Sequence, residues 1–432
     1  MIKRTHTLKL IILSMLFASS VFAQNAQWYK GNLHMHTFWS DGGVFPEEAA
    51  EFYSTNGYHF ISITDHHIVQ TNEKNWQEIG GKKVSKAVAE RYLKRYGKTA
   101  DTKTEKDKET GEDKNFVRLK TIGEVKKAFD KKGAFLIIPG LELTGRVNEP
   151  DSREVHMNAI NVQTTLPYKK ESTVKGTIEA NMKSVAAYGK EHSCETLLMF
   201  NHPLWRYFDV QVETMMELPD LRFIELGNAE FLYDAPQDWY SAEQYWDIAN
   251  AFRVSAGHRP LYYVATDDTH AYPKDALRRW VCVRSTELAP DALMRAMHNG
   301  DFYATCGVNL RDVRFNEKTG TLSVEVHPKR GETYEINFIV TRADFDRTVK
   351  TFDDPAKDKK PARTGTTYSD TIGVVAKKVS GISGFYTLRP DDMYVRATVT
   401  SSTKKVKPLN GGPAFDTAYT QPVGWQQWQS RK

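Results

Sequence analysis

The sequence predicts an α/β chain: a parallel barrel or wound sheet from Gln24 to about Val308, followed by a small all-β domain. Three observations carry this. Short apolar runs rich in Ile, Val, Leu, Phe and Tyr alternate with helical stretches, as buried parallel strands and their crossover helices do. Near Asn309 the texture changes to short runs of period two, such as Leu322-Ser323-Val324-Glu325-Val326 and Tyr394-Val395-Arg396-Ala397-Thr398-Val399. The ends of successive apolar runs carry His, Asp and Glu, and strand C-terminal ends are where an α/β barrel builds its active site.

Taken in order, residues 1–23 are an export signal rather than fold. Lys3, Arg4 and Lys9 form a basic start, Leu10 to Ala18 an apolar centre, and Val21-Phe22-Ala23 a small-residue cleavage site. The apolar run is too short to span a bilayer, so the mature chain is expected to be exported, periplasmic or secreted, with no stable membrane insertion. Strands are predicted at 31–34, 60–64, 134–138, 154–162, 196–200, 222–226, 261–266 and 280–284. Helices are predicted from Pro46, with Pro in the first turn and a stop at Gly57, after the capping box Thr121-Ile122-Gly123-Glu124, and from Pro290 to a stop at Gly300. Residues 71–120 are Lys-rich and read as an inserted helical subdomain with a solvated charged loop around 101–114. The domains are therefore 24–308, with that insertion, and a β-sandwich-like 309–432.

Composition excludes several classes. With 432 residues, 40% hydrophobic and 12% aromatic, the chain is globular, not disordered, collagenous, coiled-coil or polytopic. Loss of 1–23 leaves 56 basic residues against 54 acidic, so nothing in the charge points to nucleic acid. Cys194, Cys282 and Cys306 form neither a disulfide framework nor a Cys-based zinc site. No Gly-x-Ser-x-Gly elbow, phosphate-binding P-loop or dinucleotide glycine fingerprint is present.

The strand ends carry the chemistry. The first gives His34-Met35-His36 and then Asp41; the second Asp65-His66-His67; the third Glu142. His156, His202 and Asp267-Asp268-Thr269-His270 follow. Imidazoles and carboxylates in such a series are metal ligands for borderline and hard divalent ions. Neighbouring ions ~3.5–4 Å apart can share a bridging hydroxide, which requires no covalent nucleophile on the protein. Phosphorus is its natural target, because the anionic oxygens of a phosphate ligate the same ions. Asp65, Asp267, Asn158 and Asn201 adjoin ligands in sequence and are expected to orient imidazoles. Arg206, Arg146, Trp205, Arg278 and Arg279 are candidates for contact with an anionic substrate. His59, His192, His258, His298 and His327 read as structural, and His67 as the neighbour most easily confused with His66.

The Leu-His-Met-His-Thr, Ile-Thr-Asp-His and Asp-x-His segments, with the spacing of the series over about 28–307, resemble the PHP (polymerase and histidinol phosphatase) metallohydrolases. The resemblance implies a distorted (β/α)7 barrel and a cluster of two or three divalent ions, Zn, Mn or Fe. It implies that His34, His36, Glu142 and Asp268 hold one ion, and that Glu142, His156 and His202 hold a second. Asp41, His66 and His270 would hold the third, Asp41 standing where some members have His. Export, the insertion and the β domain resemble the family's secreted branch, which implies a small-molecule phosphoester substrate, a phosphodiester foremost. A carboxyl ester or carbamate on the same site, and a non-catalytic binding protein with a vestigial barrel, stand as alternatives.

Overall fold

The computed structural model describes residues 26–148, 152–205, 210–228, 241–355, 362–405 and 413–431. The segment 1–23 read as an export signal, Arg206 and its neighbours Tyr207 and Phe208 lie outside the described residues. The chain is a mixed α/β protein with eight helices among the described residues and one sheet of thirteen strands.

The first half of that sheet positions the site. Its strands run in the order Tyr262–Thr266, Phe223–Asn228, Leu197–Phe200, Met157–Ile160, Leu136–Leu143, Phe60–Ile63, Gln27–Asn32 and Trp280–Ser285. Most neighbours are parallel, but two strands are not. Met157–Ile160 is antiparallel to both its neighbours, and Trp280–Ser285 is antiparallel to Gln27–Asn32. The expectation of an all-parallel row is corrected there. A reversed strand delivers its N-terminal end to the edge where its neighbours deliver their C-terminal ends, so His156 reaches that edge from before its strand. Likewise the predicted 134–138 strand runs on to Leu143, and Glu142 lies inside it.

Period two divides each strand between two apolar clusters. Ile61, Ile63, Ile137 and Ile224 pack outward in a cluster that includes Tyr53 of the helix Pro46–Thr55, Val125 of Ile122–Phe129 and Trp246 of Ala242–Ser255. Phe60, Ile138, Ile160, Met199, Phe223, Val264 and Val281 share the other face, with Leu293, Met294 and Met297 of Pro290–His298 against them. Each such fully buried side chain contributes about 1.5–3 kcal/mol. Gly31 is required there: a Cβ on it would stand 2.1 Å from the Phe60 ring. The Tyr262–Thr266 strand, last in the row, packs beside Trp280–Ser285 and Phe302–Thr305.

The helix signals hold in detail. Thr121 and Glu124 form the capping box, Pro46 and Pro290 open their helices, and Gly57 and Gly300 follow the helix ends at positive φ. The insertion departs from expectation. It contains one helix, Lys86–Tyr96, but its charged run folds as the strands Thr102–Lys106 and Asp113–Arg118, paired with Trp76–Glu78. Opposite charges meet across this hairpin, Lys106 with Asp113 at 2.9 Å and Lys114 with Asp107 at 2.8 Å, so the run is solvated as expected but ordered as paired strands on either side of a short turn.

Beyond residue 309 the described elements are strands, apart from the closing helix Trp425–Gln429. Four of them, Phe415–Thr420, Asp392–Lys404, Tyr334–Arg342 and Val374–Ser380, continue the large sheet from Phe302–Thr305. Arg396, buried, joins the two parts through ion pairs to Asp247 and Glu243 on the Ala242–Ser255 helix. Among the described residues no helix is long and apolar enough to cross a membrane.

Candidate metal centre

At one edge of the sheet the inner face turns polar. Glu142 lies four residues beyond Ile138 on the same strand face, Glu225 two beyond Phe223, and Thr266 two beyond Val264. Above them the loops bring His34, His36, Asp41, His66, His156, His202, Asp268 and His270 together in three groups. His34, His36 and Asp268 form the first; Glu142, His156 and His202 the second; His36, Asp41, His66 and His270 the third. All nine side chains of the expected set are in these groups, and His66, not His67, stands beside Asp41, at 3.5 Å.

Glu142 is the centre. Its Oε1 lies 3.2 Å from His156 Nδ1 and 3.6 Å from both His34 Nε2 and His202 Nε2. Its Oε2 stands 2.8 Å from His66 Nδ1 and 3.6 Å from His36 Nε2, without an aligned hydrogen bond to either. Asp268 Oδ1 is 3.1 Å from both His34 Nε2 and His36 Nε2. Those two ring nitrogens are themselves 3.2 Å apart.

Hydrogen bonds from outside fix these rings. His34 Nδ1 is 2.9 Å from Glu225 Oε1, so the ring donates there and turns Nε2 toward the cluster. Glu225 Oε2 also accepts from His202 N at 3.0 Å and from Asn228 Nδ2 at 3.1 Å, and Asn228 bonds Asp268 Oδ2 at 2.9 Å. Glu225 and Asn228 were missed in the sequence; the available signal was an acid two residues from a core Phe on an apolar strand. His66 Nδ1 pairs with Thr144 Oγ1 at 2.6 Å, and His156 Nε2 faces Glu154 Oε2 at 3.4 Å.

The four expected orienting residues are at the site, in other roles. Asn201 Nδ2 donates to Glu142 Oε1 and to Asn158 Oδ1, both at 2.9 Å, and thereby orients a carboxylate rather than an imidazole. Asp65 accepts from Thr37 N, Thr37 Oγ1, Ser40 N and Ser40 Oγ, and so shapes the turn that presents Asp41. Asp267 accepts from Asn32, Tyr53 and the backbone N–H groups of Leu277, Arg278 and Arg279. Short carboxylates beside a turn serve backbone N–H groups first, which is why adjacency to a ligand did not make them imidazole partners.

Of the substrate candidates, Trp205 stands over His156 and His202, with ring centroids 5.5 and 5.2 Å away. Arg146 is ion-paired to Glu154, the residue that faces His156. Arg278 gives its guanidinium to Lys274 O, and the buried Arg279 reaches toward Gly227 and Tyr263. Neither joins the cluster. His59, His192 and His298 bond backbone groups, as structural histidines do.

The electrostatics fit a cation. Burial opposes charge on His34, yet Asp268, Glu225 and Glu142 outweigh it and raise its pKa well above the usual value. Burial pushes the Glu142 carboxyl up, but His34 and His156 beside it hold it well below the usual carboxylate range. His66, against the cost of burial, is carried to about 10 by Asp41 and Glu142. Carboxylates this close to His34 and His66 favour positive charge beside them, whereas burial lowers the pKa of His36. Two ring nitrogens 3.2 Å apart, each 3.1 Å from one carboxylate oxygen, also form a donor set that a metal ion satisfies.

No protein-family model matches the chain, and no curated protein matches it. Among solved structures, three to which it is similar are described as two metal-dependent phosphoesterases and an amidohydrolase. In particular, it is similar to a two-domain protein containing a predicted PHP-like metal-dependent phosphoesterase from Bacteroides vulgatus, at 16% identity and a TM-score of 0.40, over 92% of this chain and 96% of that one. It is also similar to a candidate metal-dependent phosphoesterase from Bifidobacterium adolescentis, at 14% identity and a TM-score of 0.27, over 56% of this chain and 88% of that one. A third is an amidohydrolase from Chromobacterium violaceum, at 10% identity and a TM-score of 0.28, over 57% of this chain and 89% of that one.

Proposed function

We propose that this chain is an exported PHP-type metallohydrolase that cleaves phosphoesters, phosphodiesters foremost, on two or three divalent ions such as Zn, Mn or Fe. The observation that carries the reading is Glu142, a buried carboxylate whose two oxygens face the imidazoles of His34, His156 and His202 on one side and His36 and His66 on the other. Such a carboxylate is shaped to bridge two ions. A curled first half of the sheet supports the barrel, since one inner cluster joins Phe60 and Val264 to Val281. The strand-only texture after residue 309 supports a C-terminal β domain.

Bound ions would supply Lewis acidity and a water acidified for attack on phosphorus. The chain's own groups do the rest. Glu225 keeps His34 in the tautomer with Nε2 turned inward, Asn201 holds Glu142, and the Asp65 turn presents Asp41. Trp205 forms an apolar wall over His156 and His202, suited to the organic arm of a diester.

The test is a substrate panel on metal-reconstituted protein: bis-p-nitrophenyl phosphate, p-nitrophenyl phosphate and 1-naphthyl methylcarbamate. Diester turnover abolished by His34→Ala is the expected result. Carbamate turnover without phosphoester turnover would replace the reading with the ester–carbamate alternative.

A further inference from the structure

A second concave surface lies apart from the nine clustered residues, between the start of the Trp280–Ser285 strand and the C-terminal strands. Its volume is about 660 Å³, within the ordinary range for small-molecule sites. Its charge is one-sided. Among the described residues, Lys30, Arg278, Lys329, Lys404 and Lys405 line it with their charges, against the single carboxylate of Asp416; Arg279 also borders it but is buried, with its guanidinium toward Gly227 and Tyr263.

Four of these cations are held in place rather than loose in solvent. The Lys30 ammonium sits 3.9 Å from the Tyr58 ring centroid and 4.2 Å from that of Trp280, and among the described residues it forms no ion pair. Lys405 Nζ donates to Cys306 O at 2.6 Å, and Lys329 Nζ to Gly307 O at 3.1 Å. Arg278 is braced on Lys274 O. Among the described residues Asp416 pairs with two of these five, Lys405 at 3.1 Å and Lys329 at 3.5 Å. It is tucked in, 15% exposed where Lys329 is 45% exposed, because Gly307 has no Cβ; one there would lie 2.1 Å from its Cγ.

We propose that this cleft binds a small, multiply charged anion bearing phosphate or sulfate groups. Cations gathered on a concave surface focus their potential on what enters it, and their mutual repulsion is relieved by an anion that spans them. A guanidinium and several fixed ammonium groups match tetrahedral oxyanions, and bracing lowers the entropy lost on binding. A single phosphate or carboxylate would balance only one or two of these five charges, which is why the ligand carries more than one anionic group.

The experiment is calorimetric titration of the full-length chain with sucrose octasulfate and, separately, with tripolyphosphate, at low and at high salt. Arg278→Gln/Lys404→Glu is compared with Lys131→Gln/Lys132→Glu, which removes equal charge from an exposed turn elsewhere. We expect salt-sensitive binding by the wild type that falls about tenfold in the first variant and is retained in the second. Binding of only one probe still supports the site and tells sulfate from phosphate as the source. No binding of either probe, no loss in the first variant, or equal loss in both overturns the proposal. Thermal melts of each variant confirm that it is folded.

Discussion

His34 Nδ1 and Glu225 Oε1 are 2.9 Å apart, both side chains wholly buried, one just past the Gln27–Asn32 strand and the other on Phe223–Asn228, strands that are not neighbours in the sheet. The contact spans the inner face of the row and fixes which nitrogen of His34 faces Glu142 and Asp268. The same carboxylate holds the backbone N–H of His202, so one side chain sets two of the nine donors.

Glu225→Gln keeps this volume but offers an amide where the ring and the backbone need acceptors. Metal affinity should fall about 10–100-fold, as for other outer partners of ligating histidines. Competition with a chromogenic chelator measures it. An unchanged affinity would mean that Glu225 is only core.

Asp65→Ala removes the acceptor of four hydrogen bonds from Thr37 and Ser40. The turn carrying Asp41 loosens, at a cost of about 1–3 kcal/mol for the buried donors left unpaired. Elemental analysis should find one ion fewer per chain, lost from the group of Asp41, His66 and His270, with the others retained. Loss of every ion would contradict this division of the cluster.

Much of this site was legible in the sequence, for a physical reason. Candidate ligands that follow strands by two to four residues keep a fixed place relative to the sheet, so His34, His36, His66, His202, Asp268 and His270 could be picked out without knowing strand direction. Direction itself was not legible from Met157–Ile160, because an apolar run looks the same read either way. The absence of a helical stretch between Leu143 and Met157 was the only hint, since a parallel return needs a long crossover. Glu225 was hidden by its setting in a buried apolar strand. The insertion was misread because Lys106 and Asp113, or Lys114 and Asp107, become partners only once the turn between them is placed.

The contact between the two parts of the chain is also testable. Arg396 is buried with its guanidinium on Asp247, at 2.5 and 2.8 Å. Arg396→Ala leaves that carboxylate buried and unpaired and should cost about 3–5 kcal/mol in denaturant unfolding. Arg396→Met with Asp247→Leu removes both charges and should recover most of it. Equal loss in the single and double variants would show that packing, not the ion pair, holds the contact.

Acid stability should report on Glu124. Its hydrogen bond to Arg118 holds its pKa at about 2, below the usual carboxylate value. A carboxyl depressed on folding stabilises the fold above the unfolded pKa, and that contribution disappears as pH falls through the folded one. Glu124→Gln should therefore be less stable than wild type at neutral pH, with the gap narrowing between about pH 4.5 and pH 2. The group is partly solvated, so the gap is small. Melts across that range measure it, and a gap that widens toward acid would reverse the assignment.

The central claim is that Glu142 bridges divalent ions within the nine-residue cluster, and the metal-to-protein ratio of wild type against Glu142→Gln tests it most directly. Two or three tightly held ions per chain are expected in the wild type and no more than one in Glu142→Gln, with both proteins folded. A metal-free wild type after reconstitution, or a ratio that Glu142→Gln leaves unchanged, would contradict it.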